Sequence, residues 1–297
     1  MYGIDGPVPP EEALDHLSGW CGVRPVLIGN RAAAQDQNDI YGELLLALHG
    51  FLDAVDYDPP EKVNDHLPEV VPNLAARAMA ARDKPDHGIW EPRSGKQQMF
   101  HTKALIWVAL DRAAKMARRI GRIDEALIRE WECVAVEVRA EYHERGWNPA
   151  RGAFTQAYGS DALDAAVLRT VLFGAVDPRD PRLKATFDAI GRELAVGELV
   201  YRYRMDDGME GDEATFTACA FWRVGCLALA GETEMAQALF ERLLTRGNDL
   251  GLFAEEIDVA TGEQRGNFPQ AFTHMAIINH ALRLEKAAEK MAAPEEN

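Results

Sequence analysis

The stretch EATFTACAFWRVGCLALAGETEMAQALFERLL, residues 213–244, contains two consecutive helical patterns of different kinds. Its first part, residues 213–231, is apolar on nearly all sides, which is typical of a helix covered on every face. Its second part, residues 232–244, has one apolar stripe and one charged face. An inner helix followed directly by an outer helix predicts a two-layered helical arrangement.

Helical periodicity recurs along the rest of the chain, whereas strand patterns are scarce. Apolar residues repeat at helical spacing in QNDIYGELLLALHGFL (37–52), KALIWVALDRAAKM (103–116) and IDEALIREWECVAVEVRAEY (123–142). Further helices are predicted at about 161–174, 179–195, 213–229, 233–246 and 270–291. Turns rich in Gly, Pro and Asp separate them, which gives about nine helices and predicts an all-α domain. No fixed repeat of a solenoid is present, so a helical ring is favoured.

The composition excludes several classes of partner. The 297 residues include 32 Lys plus Arg and 48 Asp plus Glu, for a formal net charge of −16. Such a charge repels nucleic acid and anionic membrane surfaces. The first residues lack the pattern of a secretory signal, and no apolar run approaches the ~20 residues that span a bilayer. We therefore expect a cytoplasmic protein that binds neither nucleic acid nor membranes.

Four cysteines are present: Cys21, Cys133, Cys219 and Cys226. None belongs to a C-x-x-C pair, and two lie in apolar segments with helical periodicity. The pattern predicts reduced, buried thiols.

The connection DHGIWEPRSGKQQMFHTK, residues 86–103, contains the first candidate for chemistry. Glu91 precedes Pro92, so we expect it to be extended and to lie outside the following helix. Trp90 would give the carboxyl group a partly apolar wall, which raises a carboxyl pKa. An acid of that kind can deliver a proton to a leaving oxygen. The alternative is a loop carboxylate that caps the next helix.

A second candidate is GLFAEEIDVATGEQRGNFPQAFTH, residues 251–274. Glu255 and Glu256 are adjacent there, and a hairpin-like turn (DVATGE) follows them. A pair of glutamates is usually a solvated face, but Phe253 and Ile257 flank this one. The pattern is therefore compatible with a solvent-exposed pair of glutamates or with a functional site.

Two further connections are rich in hydrogen-bonding groups. VYRYRMDDGMEGDEATF, residues 200–216, contains Arg202, Tyr203, Arg204, Asp206 and Asp207. This cluster is either a surface ion-pair network or a binding site for a polyhydroxylated ligand.

The other is GNRAAAQDQNDIYGE, residues 29–43, where helix capping explains Asp39 as well as any function does. The eight histidines are scattered along the chain. We expect His101 to form hydrogen bonds at a helix start and His274 to lie at the edge of the core.

Separated carboxylates, aromatic walls and neutral hydrogen-bonding groups together indicate sugar chemistry. Glycosidic cleavage requires an acid on one side of the bond and a base on the other. The sequence contains no G-x-S-x-G, P-loop, G-x-G-x-x-G or H-E-x-x-H motif.

Several stretches together resemble glycoside hydrolase family 15, which contains glucoamylases, glucodextranases and bacterial trehalases. They are GIWE (88–91), HTKALIWVALDRA (101–113), VYRY (200–203) and AEEIDVATGEQRGNFPQAFTH (254–274). QNDIYGE (37–43) and VRPVLIGNRAA (23–33) are similar to the bacterial branch of the family. The resemblance follows the family's order along nearly the whole chain.

The resemblance implies an (α/α)6 barrel that hydrolyses an α-glucosidic bond with inversion, in an α-glucan oligosaccharide or trehalose. It implies that Glu91 is the general acid and Glu255 the general base, with Glu91 protonated and Glu255 ionised. It implies neither a metal nor an organic cofactor. The substrate contacts that it implies, or that lie in the stretches quoted above, are Arg202, Tyr203, Trp90, Glu213, Lys103, Asp39 and Tyr41.

The chain also departs from the family pattern. Residues 1–297 are expected to form a single helical domain that lacks the family's N-terminal β-sandwich and the first helices of the twelve-helix ring. No Trp-x-x-Arg-Asp stretch is present, and Arg169 interrupts an apolar run. Exposed sides of inner helices then predict a second copy or a partner chain that covers them. The alternative function is a catalytically impaired, truncated family member that binds sugar or acts as a scaffold.

Overall fold

The computed structural model describes most of the chain: residues 6, 10–19, 22, 24–93, 95–205 and 213–292, without the side chains of residues 31 and 290–292. These residues contain nine α-helices. They are α1 (Ile40–Ala54), α2 (Glu61–Ala81), α3 (Phe100–Ile120), α4 (Glu125–Arg145), α5 (Ala166–Leu172), α6 (Pro181–Glu193), α7 (Thr217–Leu229), α8 (Thr233–Leu244) and α9 (Ala271–Ala292). Among the described helices, none has both the length and the apolar character needed to cross a membrane.

The helices form two layers, as the sequence predicts. The odd-numbered helices pack side by side in the order α1, α3, α5, α7 and α9. The even-numbered helices lie outside them: α2 packs against α1 and α3, α4 against α3, and α8 against α7 and α9. Burial separates the layers, because 15 of the 21 residues of α3 are buried but only 5 of the 21 in α4.

Short antiparallel ladders occupy the connections. The strands are β1 (Glu12–Ala13), β2 (Leu27–Ile28), β3 (Trp147–Asn148), β4 (Ala153–Phe154), β5 (Ala195–Val196), β6 (Leu199–Val200), β7 (Thr215–Phe216), β8 (Glu256–Ile257) and β9 (Gln264–Arg265). Pairs β1–β2, β3–β4 and β5–β6 are two-stranded, and β7–β8–β9 is three-stranded. The pairing of β8 with β9 confirms the predicted hairpin.

Local sequence explains several helix ends. α3 ends at Gly121, whose φ of +68° is the left-handed conformation that glycine adopts without a steric penalty. Asp124 then begins α4 by accepting a hydrogen bond from the backbone N–H of Ala126. α2 contains Pro68 and Pro72 inside the helix, and prolines there remove backbone donors. This helix is absent from the spans predicted from the sequence.

Other predicted boundaries need correction. The helix predicted at 161–174 begins only at Ala166, whose backbone N–H donates to Oδ1 of Asp164 in the preceding connection. The helix predicted at 213–229 begins at Thr217, since the two preceding residues pair with β8. Cys219 and Cys226 are buried free thiols as predicted, whereas Cys133 is exposed on the outer helix α4. Cys21 lies outside the described residues.

The two ends of the inner arc expose apolar stripes. α1 and α9 are the terminal helices of the arc, and they do not pack extensively against each other. Among the side chains that the structure describes on them, the large exposed apolar ones are Ile40, Leu44 and Phe51 on α1 and Met275, Ile278 and Leu282 on α9. Each set has the spacing of one helix face. The structure therefore has the exposed inner-helix sides that the sequence predicts for an incomplete ring.

A buried polar cluster lies where α1, α3 and α5 begin. Asp39 occupies the N-cap position of α1 and is 7% exposed, but its side chain makes no capping hydrogen bond, so side-chain capping does not explain this residue. Burial, together with the charges of Asp86 and Glu43, raises the pKa of Asp39 to about 7. His101 Nδ1 lies 3.8 Å from Asp39 Oδ2.

The prediction that His101 forms hydrogen bonds at the helix start is also wrong. Neither ring nitrogen of this buried side chain hydrogen bonds to a described residue. Burial, with the charge of Arg169, holds the pKa of His101 well below its usual value. His101 therefore behaves as a neutral core residue.

Arg169, the cation inside an apolar run, has partners that explain its position. Its Nη1 lies 2.7 Å from Oε1 of Glu43 on α1. Its guanidinium also lies over three aromatic rings, at 4.6 Å from the ring centre of Phe173, 5.3 Å from Trp222 and 5.7 Å from Phe272. Cation–π contacts and an ion pair offset the cost of burying this charge.

Substitutions on the two faces of inner helices should differ sharply in effect. Leu105 on α3 is fully buried, so Leu105→Ala should lower the free energy of unfolding by about 2–5 kcal/mol. Ile278 on α9 is 58% exposed, so Ile278→Ala should change it by less than about 0.5 kcal/mol. Urea denaturation measures both values. Equal losses of unfolding free energy in the two variants would contradict the exposure of this face of α9.

The buried Asp39 predicts a pH dependence of stability. Its folded-state pKa of about 7 exceeds its ordinary value of 3.8, so the folded protein binds this proton more tightly than the unfolded chain. The resulting stability is fully present below about pH 4 and is lost as the pH rises through 7. Asp39→Asn should remove this decline, which amounts to at most about 4 kcal/mol.

Chemical denaturation between pH 4 and pH 8 measures this decline. Asp65→Asn, at an exposed position on α2, is the matched control and should retain the wild-type profile. A wild-type profile in Asp39→Asn would show that Asp39 does not cause the decline.

Candidate active site

The connections that precede successive inner helices meet at one end of the arc. The Phe100 N–H at the start of α3 donates to the Gln156 carbonyl, and the Ala165 N–H before α5 donates to the Arg202 carbonyl. β7, just before α7, pairs with β8 in the connection before α9. Connections that are far apart in sequence therefore form one continuous surface.

Glu91 lies in the connection before α3, with a backbone φ of +58°. The extended conformation predicted for it is therefore wrong, since this value is left-handed and unusual for a residue with a side chain. Its carboxylate accepts hydrogen bonds from Gln37 Nε2 at 3.3 Å and from Asn30 Nδ2 at 3.4 Å. Gln35 Nε2 donates to its backbone carbonyl at 3.2 Å. Neutral amides from the segment before α1 thus orient this acid.

Trp90 is buried beside Glu91, in a cluster of aromatic rings. Its ring meets Tyr203 and Phe216 edge to face, and it lies 5.8 Å from the ring centre of Trp222. Its indole Nε1 donates a 2.8 Å hydrogen bond to Asp164 Oδ1. Such a combination of apolar packing and one satisfied polar atom fixes the ring orientation.

Arg202 joins two acidic connections to this aromatic cluster. Its Nε donates to Glu213 Oε1 at 2.6 Å, and its Nη2 lies 3.6 Å from Glu256 Oε1. Its guanidinium lies 5.7 Å from the ring centre of Trp90. Because only 13% of the side chain is exposed, the ion pairs are not a surface network. The predicted neighbours Asp206 and Asp207 lie outside the described residues.

Glu256 belongs to the glutamate pair named as a candidate from the sequence, although the resemblance gives a role only to its neighbour Glu255. Burial raises its pKa to about 7, opposed by the Arg202 charge and reinforced by the charges of Glu213 and Glu255. A carboxyl group with a strongly shifted pKa in a cleft is typical of functional sites. The flanking residues Phe253 and Ile257 are both buried, so the glutamate pair is not a solvated face.

Glu255 is half-buried at the start of the β8–β9 hairpin. Its Oε2 accepts hydrogen bonds from the Asn267 backbone N–H at 3.2 Å and from Asn267 Nδ2 at 2.8 Å. Its backbone carbonyl accepts the Thr217 N–H at the start of α7. Gly266 packs so closely that a Cβ there would lie 2.9 Å from Glu255 Oε2. The carboxylate is thus held on one side by the loop that follows β9.

Two cavities open at this end of the arc. One, of about 550 Å³, is lined by Trp90, Glu91 and Arg202 together with residues of the segment before α1. The other, of about 800 Å³, is lined by Glu256 and by residues of the β9 strand and the loop after it. The Arg202–Glu256 ion pair connects their walls. Glu255 is absent from the described lining of both cavities, so its predicted role as the base stays a prediction.

The remaining predicted contacts lie elsewhere. Lys103 is buried, and its Nζ donates to the backbone carbonyls of Arg82 and Lys84. Tyr41 is half-buried against the core. Neither these residues nor Asp39 are among the described lining of the two cavities. Their contacts with a sugar therefore remain predictions, as does that of Glu213.

The described residues contain no group of three or more His, Cys, Asp or Glu side chains that could hold a metal ion. The carboxyl groups of Glu91, Glu213, Glu255 and Glu256 lie on this surface with the Arg202 guanidinium and aromatic rings. They can transfer protons and bind hydroxyl groups.

Comparisons with solved structures identify the fold. A glycosidase variant superposes with a TM-score of 0.73 at 19% identity, over 89% of this chain and 72% of that chain. A bacterial glucoamylase complexed with acarbose superposes with a TM-score of 0.69 at 15% identity, over 84% of this chain and 41% of that chain. The described helices therefore have the (α/α)6-barrel fold of the glucoamylases, as the resemblance implied.

Comparisons of sequence identify the family. The chain is 43% identical to the trehalase of Mycobacterium tuberculosis, over 97% of this chain and 42% of that protein. It is 37% identical to the trehalase of Thermoplasma volcanium, over 98% of this chain and 46% of that protein. The chain thus spans less than half the length of these curated relatives. The profile of "Glycosyl hydrolases family 15" matches residues 1–282, and the chain belongs to this family.

Proposed function

We propose that this chain carries the general acid and the general base of an inverting α-glucoside hydrolase, with trehalose as the favoured substrate. The observation that carries the proposal is the cavity in which Glu91 lies beside Trp90 and Arg202. Trehalose is favoured over α-glucan oligosaccharides because several curated relatives at 37–43% identity are trehalases.

In this proposal Glu91 protonates the glycosidic oxygen while the bond to the anomeric carbon breaks. Glu255 removes a proton from a water molecule, which attacks the anomeric carbon from the opposite face. The proton lost by Glu91 is balanced by the one that Glu255 gains, and the configuration inverts. This geometry requires roughly 6.5–9.5 Å between the two carboxyl groups.

Hydrogen bonds from neighbouring amide groups hold each of the two carboxyl groups in place. Glu91 accepts hydrogen bonds only from neutral amides among the contacts described above. Glu255 is held through Oε2 by Asn267. Arg202 lines the cavity beside Glu91, where its guanidinium can donate to sugar hydroxyl groups, and Tyr203 supports the Trp90 wall.

The rival function is sugar binding without turnover. The observation that favours it is the open arc, whose terminal helices α1 and α9 expose apolar stripes. In a member of this kind, part of the pocket around the reacting glucose would be missing. Calorimetry against glucose, maltose and trehalose, beside a glucose-release assay, separates binding from turnover.

Replacement of either carboxylic acid by its amide should abolish hydrolysis. Glu91→Gln removes the proton donor and Glu255→Gln removes the proton acceptor, so each should lower kcat by at least about 10²–10⁴. Glucose release from trehalose, maltooligosaccharides and isomaltooligosaccharides measures the loss. Glu263→Gln, at an exposed position of the hairpin, is the matched control and should retain activity. Wild-type turnover in either site variant would refute its assigned role.

We also propose that an additional helical polypeptide covers the stripes on α1 and α9. Both stripes have the spacing of a helix–helix contact, and the curated relatives are more than twice as long as this chain. The chain alone should then be monomeric and should bind a hydrophobic dye at these stripes. The double variant Ile278→Glu, Leu282→Lys should lower dye binding and leave the melting temperature unchanged. A stable dimer that the double variant dissociates would instead show that a second copy is the occupant.

A further inference from the structure

Asp164 is a buried carboxylate outside the acid–base pair, in the connection before α5. Only 4% of the residue is exposed. Its Oδ1 accepts the Trp90 indole N–H at 2.8 Å and the Ala166 backbone N–H at 2.7 Å. Its Oδ2 accepts Gln156 Nε2 at 3.2 Å. Both oxygens are thus held by donors from different parts of the fold.

The hydrogen bond to Asp164 determines which way the Trp90 ring faces. The ring is packed by Tyr203, Phe216 and Trp222, which fix its plane but do not bind its polar atom. A buried indole N–H without an acceptor is strongly disfavoured. The acceptor at Asp164 therefore selects one ring orientation among those that the apolar contacts allow.

The orientation of Trp90 bears directly on Glu91, the next residue. Glu91 has the left-handed φ of +58°, which side-chain residues adopt only when surrounding contacts impose it. Its own carboxylate contacts are long, at 3.3 and 3.4 Å. The carboxyl group is consequently positioned by the backbone that follows Trp90 as well as by these hydrogen bonds.

We propose that Asp164 is a positioning residue: by accepting the Trp90 indole N–H it fixes the backbone that directs the Glu91 carboxyl group into the cavity. The proposal rests on the proposed function for the role of Glu91. The carboxylate acts through its acceptor oxygen, and its burial, which raises its pKa to about 6, is consistent with a fully enclosed site.

The test compares two substitutions that differ in the acceptor. Asp164→Asn retains an oxygen that can accept the indole N–H, whereas Asp164→Leu has a similar size and no acceptor. Asp164→Leu should lower kcat for trehalose by about 10–100-fold with KM changed less than about threefold, because misplacement of a catalytic group affects the chemical step. Asp164→Asn should retain kcat within about threefold. Asp161→Leu, at an exposed position of the same connection, should match the wild type.

A second readout does not require turnover. The ¹³C resonance of the Glu91 carboxyl group, assigned by its loss in Glu91→Gln, should move in Asp164→Leu and remain in place in Asp161→Leu. If the wild type releases no glucose from any substrate, the proposed function fails, and this resonance still tests the positioning. Should Asp164→Leu not fold, benzothienylalanine at position 90 removes the indole N–H and keeps the bicyclic ring. The Glu91 carboxyl resonance is then expected to move in that variant as well.

Either of two results would overturn the proposal. One is a folded Asp164→Leu variant with wild-type kcat and an unmoved Glu91 resonance. The other is an equal loss of kcat in Asp164→Asn and Asp164→Leu, which would assign the effect to the lost charge instead of the lost acceptor.

Discussion

The contact of the Arg202 guanidinium with Trp90, Glu213 and Glu256 is the interaction on which the site depends. Acidic partners compensate for the hydration that a buried cation loses. The two glutamates come from different connections, and the indole comes from a third. The ends of three inner helices are thereby held together around one charge. The positive charge of Arg202 also lowers the pKa of Glu256, whereas burial raises it.

The fold could be predicted from the sequence wherever apolar periodicity was strong. The fully apolar pattern of α7 and the striped pattern of α8 predicted their two layers correctly. α2 was missed because Pro68 and Pro72 interrupt its pattern, although α1 and α3 cover its apolar face. Cys133 illustrates the same limit. A thiol on a helix is buried only if it lies on a covered face of that helix, and Cys133 is exposed on the outer helix α4.

The site could be predicted in part, through residues in the short stretches that resemble the family. Trp90, Glu91 and Arg202 were identified and do line one cavity. Asp164 was not, because its partner Trp90 is 74 residues away and no local pattern relates the two. The partners of Arg169 could not be predicted for the same reason, since Glu43 and Trp222 belong to other helices. Lys103 and Asp39 lie near the helix starts, but they face the interior.

The stereochemistry of the first product tests the account most directly. ¹H NMR can follow both anomers of glucose during the first minutes of trehalose hydrolysis, before mutarotation mixes them. Attack by water opposite the leaving oxygen must give one β-glucose from the attacked ring and one α-glucose from the leaving ring. Equal initial amounts of the two anomers are therefore the predicted result. Initial formation of α-glucose alone would mean retention of configuration, and it would contradict an acid and a base that act on opposite sides of the bond.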